Sequence, residues 1–478
     1  MIFKDESSKV VRKFQAREAR SSQRLAFAAK PGVRPEDSGP DQEDGMEFVL
    51  SDTITLSAFN LAPTIEERAI AFFLNNYVMS LNGSPAVGHL AALHKTKGTL
   101  PECLFSSMKA VGIAGYAHSV YAPSLMKHAR YQYVLALRAT NEALKSPVHV
   151  TKDSTLISII ILSIYEAVTG TNQKSLKAWS DHLFGASALL KLRGHNQIKT
   201  LEGRQLFLQT VSSLLVTSIQ QNLPLPDYII EWTREAREMI PFHNPGLICQ
   251  EVMMEFTTYN ASICDGRLSD PDAIIARGLE LDSVLRDAFE NPCDGWEYET
   301  IFTEDEPELV YKGAYHIYHD GWVSQIWNGM RCFRCLFHER IYETIKAAQS
   351  EQPPRLTDAS HTAQLQLSID IMCKMQAGIF ASVPQHLGYV SQINRYPDRE
   401  QFVGPWKPNR GPAAMPMRLA GPYALFWPLW YSGIMIVATD ATRRYVIYNL
   451  KLIGDELGIQ QARFLAELLE KNINVNFR

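Results

Sequence analysis

The residues best suited to metal chemistry are Cys332 and Cys335 with His338, each three positions from the next in a helix-like stretch. Thiols and imidazoles at such spacing are the usual ligands of a structural zinc ion, which takes four. Steps of three residues on a helix rotate successive ligands away by about 60°, so these three make a spread arc and not a compact set. No fourth ligand accompanies them, and buried cysteines beside aromatic side chains explain the pattern better. His316 and His319 form a second pair, which Asp320, Gly321 and the surrounding aromatic residues mark as partly satisfied core histidines. His182, close to Trp179, reads as a packing residue or a buried hydrogen-bonding group. The densest acidic run, Glu304-Asp305-Glu306-Pro307-Glu308, is broken by a proline in a loop. A terpene cyclase would instead present clustered aspartates on helices to hold magnesium. The chain has no Gly-rich phosphate loop, no Gly-x-Ser-x-Gly elbow and no His-Glu-x-x-His. The expectation is a protein that is not an enzyme, with no catalytic, cofactor-binding or metal-binding residue, no metal and no cofactor.

Whatever these side chains do, they must be positioned by helices, and the chain is organised around the stretch from Asp153 to Gly194. Its first half, Asp153 to Val168, is apolar on nearly every side. A helix of that kind has to be covered all round and so lies inside a larger helical assembly. It is shorter than the ~20 residues of a membrane span and carries Glu166 near its end. Asp153 or Ser154 is suited to cap its start. A break follows at Gly170-Thr171-Asn172. Ser175 to Arg193 then resumes with Trp179, Leu183, Ala186 and Leu190 on one stripe. Arg193 and Gly194 close it, a cation in the last turn and a glycine free to take positive φ. The unit is a helical hairpin.

Composition agrees with a globular chain: 478 residues, 46% hydrophobic and 21% charged, have the length of about three average domains. The net charge of -4 gives the whole molecule no bias towards nucleic acid or anionic membrane. Seven cysteines, an odd number scattered from Cys103 to Cys373, make no disulfide framework and point to a reducing compartment. The start, Met-Ile-Phe-Lys-Asp-Glu, lacks the apolar run of a signal peptide. Leu419 to Thr439 is uncharged but contains Pro422 and Pro428, which favours a buried kinked helix over a membrane span.

In chain order, Lys9, Lys13, Arg17, Arg20 and Arg24 recur every three to four residues. They are either a solvated linker or a helical face for phosphates or nuclear import. Ala28 to Asp52 is rich in Pro, Gly, Asp and Glu and reads as a linker. The division is therefore 1–52, a flexible tail that is first basic and then acidic, and 53–478, an all-helical body. Thr64 and Glu67 have capping-box spacing ahead of a helix carrying Ile70, Phe73, Leu74, Tyr77 and Val78. Helices are expected over 100–120, 123–145, 201–222, 226–240, 245–264 and 270–289. Asn291–Pro307 reads as an acidic, aromatic loop. Tyr311–Gln349 reads as one long helix with Tyr315, Tyr318, Trp322, Ile326, Phe333 and Phe337 on a stripe. Further helices follow over 358–383, 423–441, 443–457 and 459–472, the first two joined by a Pro/Gly-rich connection from Pro397 to Pro422. No alternating strand pattern of useful length stands out, so the fold class is all-α, a large multi-helix bundle of stacked helical hairpins behind a disordered N-terminal tail.

Several stretches resemble the fungal-specific transcription factor domain of the zinc-cluster regulators. They are Glu66-Glu67-Arg68-Ala69-Ile70-Ala71-Phe72-Phe73, Ala129-Arg130-Tyr131-Gln132-Tyr133-Val134-Leu135-Ala136-Leu137, and Trp179 to Ala186 with Leu192-Arg193-Gly194. Phe426-Trp427-Pro428-Leu429-Trp430 and Ile453 to Ile459 are similar to the family's closing segment, so the resemblance runs over roughly 50–475. Phe3 to Lys13 is similar to the sequence that follows the six-cysteine zinc cluster in such regulators. In the family that cluster binds two zinc ions and places a helix in the DNA major groove. Here the first cysteine is Cys103, so no cluster can be assembled and no base-reading residue carries over.

The resemblance implies a nuclear regulator of a fungal metabolic or secondary-metabolite pathway. It would act through its helical domain without its own zinc cluster, as a truncated or reader-less member. The implied partners are proteins of the transcription machinery or other regulators, with room for a small-molecule effector and a homodimer, and no membrane. Contact of Lys9 to Arg24 with nucleic acid is expected to be weak and indifferent to sequence. The alternative is an all-α metabolite-binding or enzymatic module built on the same scaffold.

Overall fold

Thr64 opens the first helix with both halves of a capping box. Its hydroxyl accepts from the Glu67 backbone N–H at 3.2 Å, and the Glu67 carboxylate accepts from the Thr64 N–H at 2.7 Å. The computed structural model describes residues 63–77, 100–240, 245–304, 309–390 and 419–473. The basic segment from Lys9 to Arg24, the linker from Ala28 to Asp52, Val78 and most of the Pro397–Pro422 connection lie outside them.

The first helices are α1 (Ile65–Asn76), α2 (Glu102–Ser119), α3 (Leu125–Lys145), α4 (Asp153–Thr169), α5 (Gln173–Arg193), α6 (Leu201–Gln220), α7 (Asp227–Glu238), α8 (Pro245–Cys264) and α9 (Pro271–Glu290). A hairpin of β1 (Tyr298–Phe302) and β2 (Ala314–Tyr318) interrupts them. Then follow α10 (Gly321–Gln349), α11 (Ala359–His386), α12 (Ala420–Ile434), α13 (Asp440–Asp455) and α14 (Gln460–Glu470). The fold is all-α, with one small antiparallel hairpin among the described residues. No helix of the described residues is long and apolar enough to cross a membrane.

As expected for a helix without a polar face, α4 buries residues on all sides, from Thr155 and Leu156 to Ala167 and Val168, among α2, α3, α5, α6 and α14. Its start departs from expectation. The N-cap is Lys152, with no side-chain cap bond, and Asp153 stands in the first turn. The Asp153 carboxylate instead accepts from Arg193 Nη2 at 2.5 Å, while Arg193 Nη1 donates to the Thr151 carbonyl at 2.9 Å. The hairpin is thus tied at its open end by the cation that closes α5. Asn172 caps α5 through the backbone N–H groups of Lys174 and Ser175, and Gly194 follows α5 at φ 74°, ψ 175°. That conformation is nearly restricted to glycine.

The stretch Tyr311–Gln349 is not one helix. Tyr315 and Tyr318 sit on β2, α10 begins at Gly321, and the Asn291–Pro307 stretch contains β1. Asp320 is the true N-cap, its carboxylate accepting from the Val323 N–H at 2.9 Å. The physical reason is that β2 is covered on both faces, so Tyr315, His316, Ile317 and Tyr318 are all buried and show no polar alternation.

Two principal apolar clusters make the interior. One joins the early helices to α11–α14; the other is aromatic and joins α8, α9, the hairpin and α10, with Phe256 edge-on to Phe333 and Phe337. Met253 and Tyr431 pack against both.

Candidate functional site

Three buried polar clusters are where chemistry could reside. The first lies between α3, α4 and α5. The Tyr133 hydroxyl donates to Glu166, and the same oxygen lies 3.2 Å from His182 Nε2. Because its one proton goes to the carboxylate, the tyrosine oxygen is left to accept from the imidazole. The Tyr133 ring stacks on Tyr165 with centroids 4.1 Å apart. Burial pushes the Glu166 carboxyl up, against the hydrogen bonds from Tyr133 and Ser175, and pushes His182 down to about 4. His182 is therefore a buried hydrogen-bonding residue, and Tyr133, in contact with both His182 and Glu166, ties three helices together.

The second cluster holds the thiols considered for metal binding. Among the described residues no group of three or more His, Cys, Asp or Glu is placed to hold a metal. All seven cysteines are free. The Cys335 thiol faces the Met372 carbonyl at 3.9 Å, and burial lifts Cys332 and Cys249 to about 12. His338 belongs to a different set. Its Nδ1 lies 3.0 Å from the Ser368 hydroxyl and its Nε2 lies 3.3 Å from Asp282. Asp282 also takes both ends of the Arg334 fork, at 2.7 and 2.9 Å. Burial raises the Asp282 carboxyl, but the bonds from His338 and Arg334 and the Arg334 charge outweigh it and hold the group below the usual carboxylate range. A serine, a histidine and an aspartate in contact are the parts of a hydrolase relay. Here Ser368 and His338 are 0% and 1% exposed, and the arginine already neutralises the aspartate. The set is a sealed internal brace. Its members are spread over Asp282, Arg334, His338 and Ser368, on three helices, and leave no local pattern in the sequence.

The third cluster fastens the β-hairpin to the helices. Arg331 is 2% exposed and has no carboxylate within ion-pairing distance among the described residues. Its guanidinium donates to Asn328 Oδ1 at 3.0 Å, sits 3.5 Å from His316 Nδ1, and lies 5.2–5.6 Å from the ring centroids of Trp327, Tyr298 and Tyr318. Among the described residues, aromatic faces and neutral acceptors surround the guanidinium in place of a carboxylate. Burial, and then the Arg331 charge, push His316 down to about 3, and burial chiefly pushes His386 down to about 4. Asn328 passes the connection on to Ser382 at 2.8 Å and to His386 Nε2 at 3.2 Å. His319, the other member of the expected pair, faces outward beside Asp320 at 3.6 Å. The acidic run is represented by Glu304 alone, since Asp305 to Glu308 lie outside the described residues.

Among the described residues, one small cleft between α6, α8 and α10 holds about 90 Å³ and is lined by Phe256, Asn260, Glu339 and Arg340 among others. Ligand sites usually need roughly 300–1,000 Å³.

Residues 89–220 match the family model of the fungal specific transcription factor domain. That segment is similar to the domain of that family. The match covers a little over a quarter of the sequence, takes in α2 to α6 and ends on the last residue of α6. It contains the Tyr133–Glu166–His182 cluster and the stretches at 129–137 and 179–194. The similar stretches at 66–73, 426–430 and 453–459 lie outside it. No curated protein and no solved structure matches the chain. A domain of this family suggests transcription regulation.

Proposed function

We propose that the protein is a nuclear transcription regulator whose helical body works by contacting other proteins of the transcription apparatus, in control of a fungal metabolic or secondary-metabolite pathway. The observation that carries this reading is the match of residues 89–220 to the transcription factor domain, in a body whose polar clusters are sealed. All seven cysteines lie at or beyond Cys103 and none is grouped for metal, so residues 1–478 supply no zinc-cluster DNA reader of their own. Within these residues, protein contacts are the proposed route to regulation, with weak nucleic-acid contact through Lys9 to Arg24.

The test is to fuse the full chain to an unrelated DNA-binding module and read a reporter in a fungal host. Reporter output should change several-fold when the fusion is shown to be folded and nuclear. A folded, nuclear fusion that leaves the reporter at its basal level in all growth media would sink the reading.

A further inference from the structure

Among the described residues, the outer edge of the β-hairpin is left open. Tyr318 turns both of its backbone groups away from β1: its N–H donates to Gln385 Oε1 at 2.8 Å and its carbonyl accepts from Gln385 Nε2 at 3.0 Å. Tyr318 stands opposite Tyr298, so that pair makes no ladder bonds. At the other end the Thr303 N–H does donate across the hairpin, to the Gly313 carbonyl at 2.9 Å. Alternation then settles the rest. The N–H and C=O groups of Tyr298, Thr300 and Phe302 point away from β2, on the outer edge. No hydrogen bond among the described residues takes them. Thr300 is exposed and Phe302 is 80% exposed.

An open strand edge is a template for pairing, and proteins usually blunt one with proline, lysine or a bulge. Tyr-Glu-Thr-Ile-Phe has none of these. We propose that β1 is a self-pairing edge, on which a second copy of this chain adds its own β1 antiparallel about a two-fold axis through Thr300. The commitment to a second copy rests on self-complementarity. In that register Thr300 faces the partner's Thr300, Tyr298 faces the partner's Phe302, and Glu299 faces the partner's Ile301. Thr–Thr and aromatic–aromatic cross-strand pairs are the favoured kinds, and no like charges stand opposite each other. Each outward pair exchanges two backbone bonds, about six in all, and the sheet grows to four strands, β2-β1-β1-β2. The interface is closed by its symmetry and smaller than permanent ones, so the dimer forms in a concentration-dependent way.

Sedimentation of the full chain over a dilution series tests this independently of any reporter. The wild type should pass from monomer to dimer. Thr300→Lys and Thr300→Glu each place like charges face to face on the axis and should raise the dissociation constant about tenfold or more. An equimolar mixture of the two should recover wild-type association, because the mixed pair places opposite charges there. Thr300→Pro removes an outward N–H that β2 does not use, so it should leave the thermal midpoint near wild type while weakening the dimer. The proposal is overturned by a wild type that stays monomeric throughout, by a dimer that tolerates Thr300→Pro, or by a mixture that does not recover. A monomeric wild type that instead takes up an extended peptide on β1 would give the edge to another protein and overturn it equally.

Discussion

Gly378 of α11 lies flat against Arg331 of α10: a Cβ at 378 would stand 2.6 Å from the arginine Nε and 3.1 Å from Cζ. A flexible arginine could usually swing clear of a new methyl group. This one is held by three aromatic rings and Asn328, so it has nowhere to go without losing them. Alanine within a helix is favoured over glycine by about 1 kcal/mol, which makes the substitution a clean comparison of two effects. Gly378→Ala should be destabilising by about 1–3 kcal/mol in urea unfolding, because overpacking wins. A variant more stable than wild type would mean that the guanidinium is not confined.

The buried histidines set the response to acid. His182, His316 and His386 have folded values of about 4, about 3 and about 4, all below the ordinary 6.5. The unfolded chain therefore takes up protons that the folded chain refuses. Their contribution to stability is complete above about pH 6.5 and is lost as pH falls towards 4, at up to about 1.4 kcal/mol per unit for each histidine. Glu166 and Glu339 are raised and act in the opposite sense, favouring the fold as they protonate. Three groups outweigh two, so stability should fall between pH 6.5 and 4.5. His182→Gln should flatten that slope in chemical denaturation; an unchanged slope would show that His182 is protonated in the fold.

The hairpin also marks where the sequence stopped being legible. The α4–α5 hairpin could be read because its signals are local: an apolar run, a Gly-Thr-Asn break and a Trp179 to Leu190 stripe. Thr64 and Glu67 announced α1 in the same way. In β2 the three-residue step from Tyr315 to Tyr318 imitates a helical stripe, and burial on both faces removes the alternation that would have identified a strand. Asp320-Gly321 was the available correction, an N-cap followed by the true helix start. The polar clusters were illegible for another reason. Asp282 meets Arg334 and His338, and Tyr133 meets Glu166 and His182, across 33 to 56 residues of sequence, so their partnerships exist only after the helices pack.

Asp282 tests whether the second cluster is a brace or a dormant active site. Asp282→Ala leaves the nearly buried Arg334 without its bidentate partner, and breaking a buried pair from one side costs about 3–5 kcal/mol. The expected result is a large drop in the urea midpoint. A serine-directed phosphonate probe should leave Ser368 unlabelled in the folded protein. Stoichiometric labelling there, at neutral pH, would contradict the sealed arrangement.

Trp179 and Gly194 separate two ways of damaging the α4–α5 hairpin. Trp179 is buried and packs on Trp427 of α12 with centroids 5.4 Å apart, so it joins the matched domain to the closing helices. Trp179→Ala leaves a cavity at that junction and should cost about 3–5 kcal/mol. Gly194 has no heavy atom within 4 Å of a would-be Cβ, so an added Cβ meets no clash there. The penalty of Gly194→Val is then chiefly backbone strain, about 1–3 kcal/mol at φ 74°, ψ 175°. In the tethered reporter, Trp179→Ala should abolish the effect and Gly194→Val should reduce it, in step with the folded fraction measured by thermal melting. Gly194→Ala is the control, since it adds a Cβ without β-branching and should fall between wild type and valine. If Trp179→Ala proves as stable as wild type and still silences the reporter, the tryptophan contributes a contact to the regulatory output and not merely to the fold.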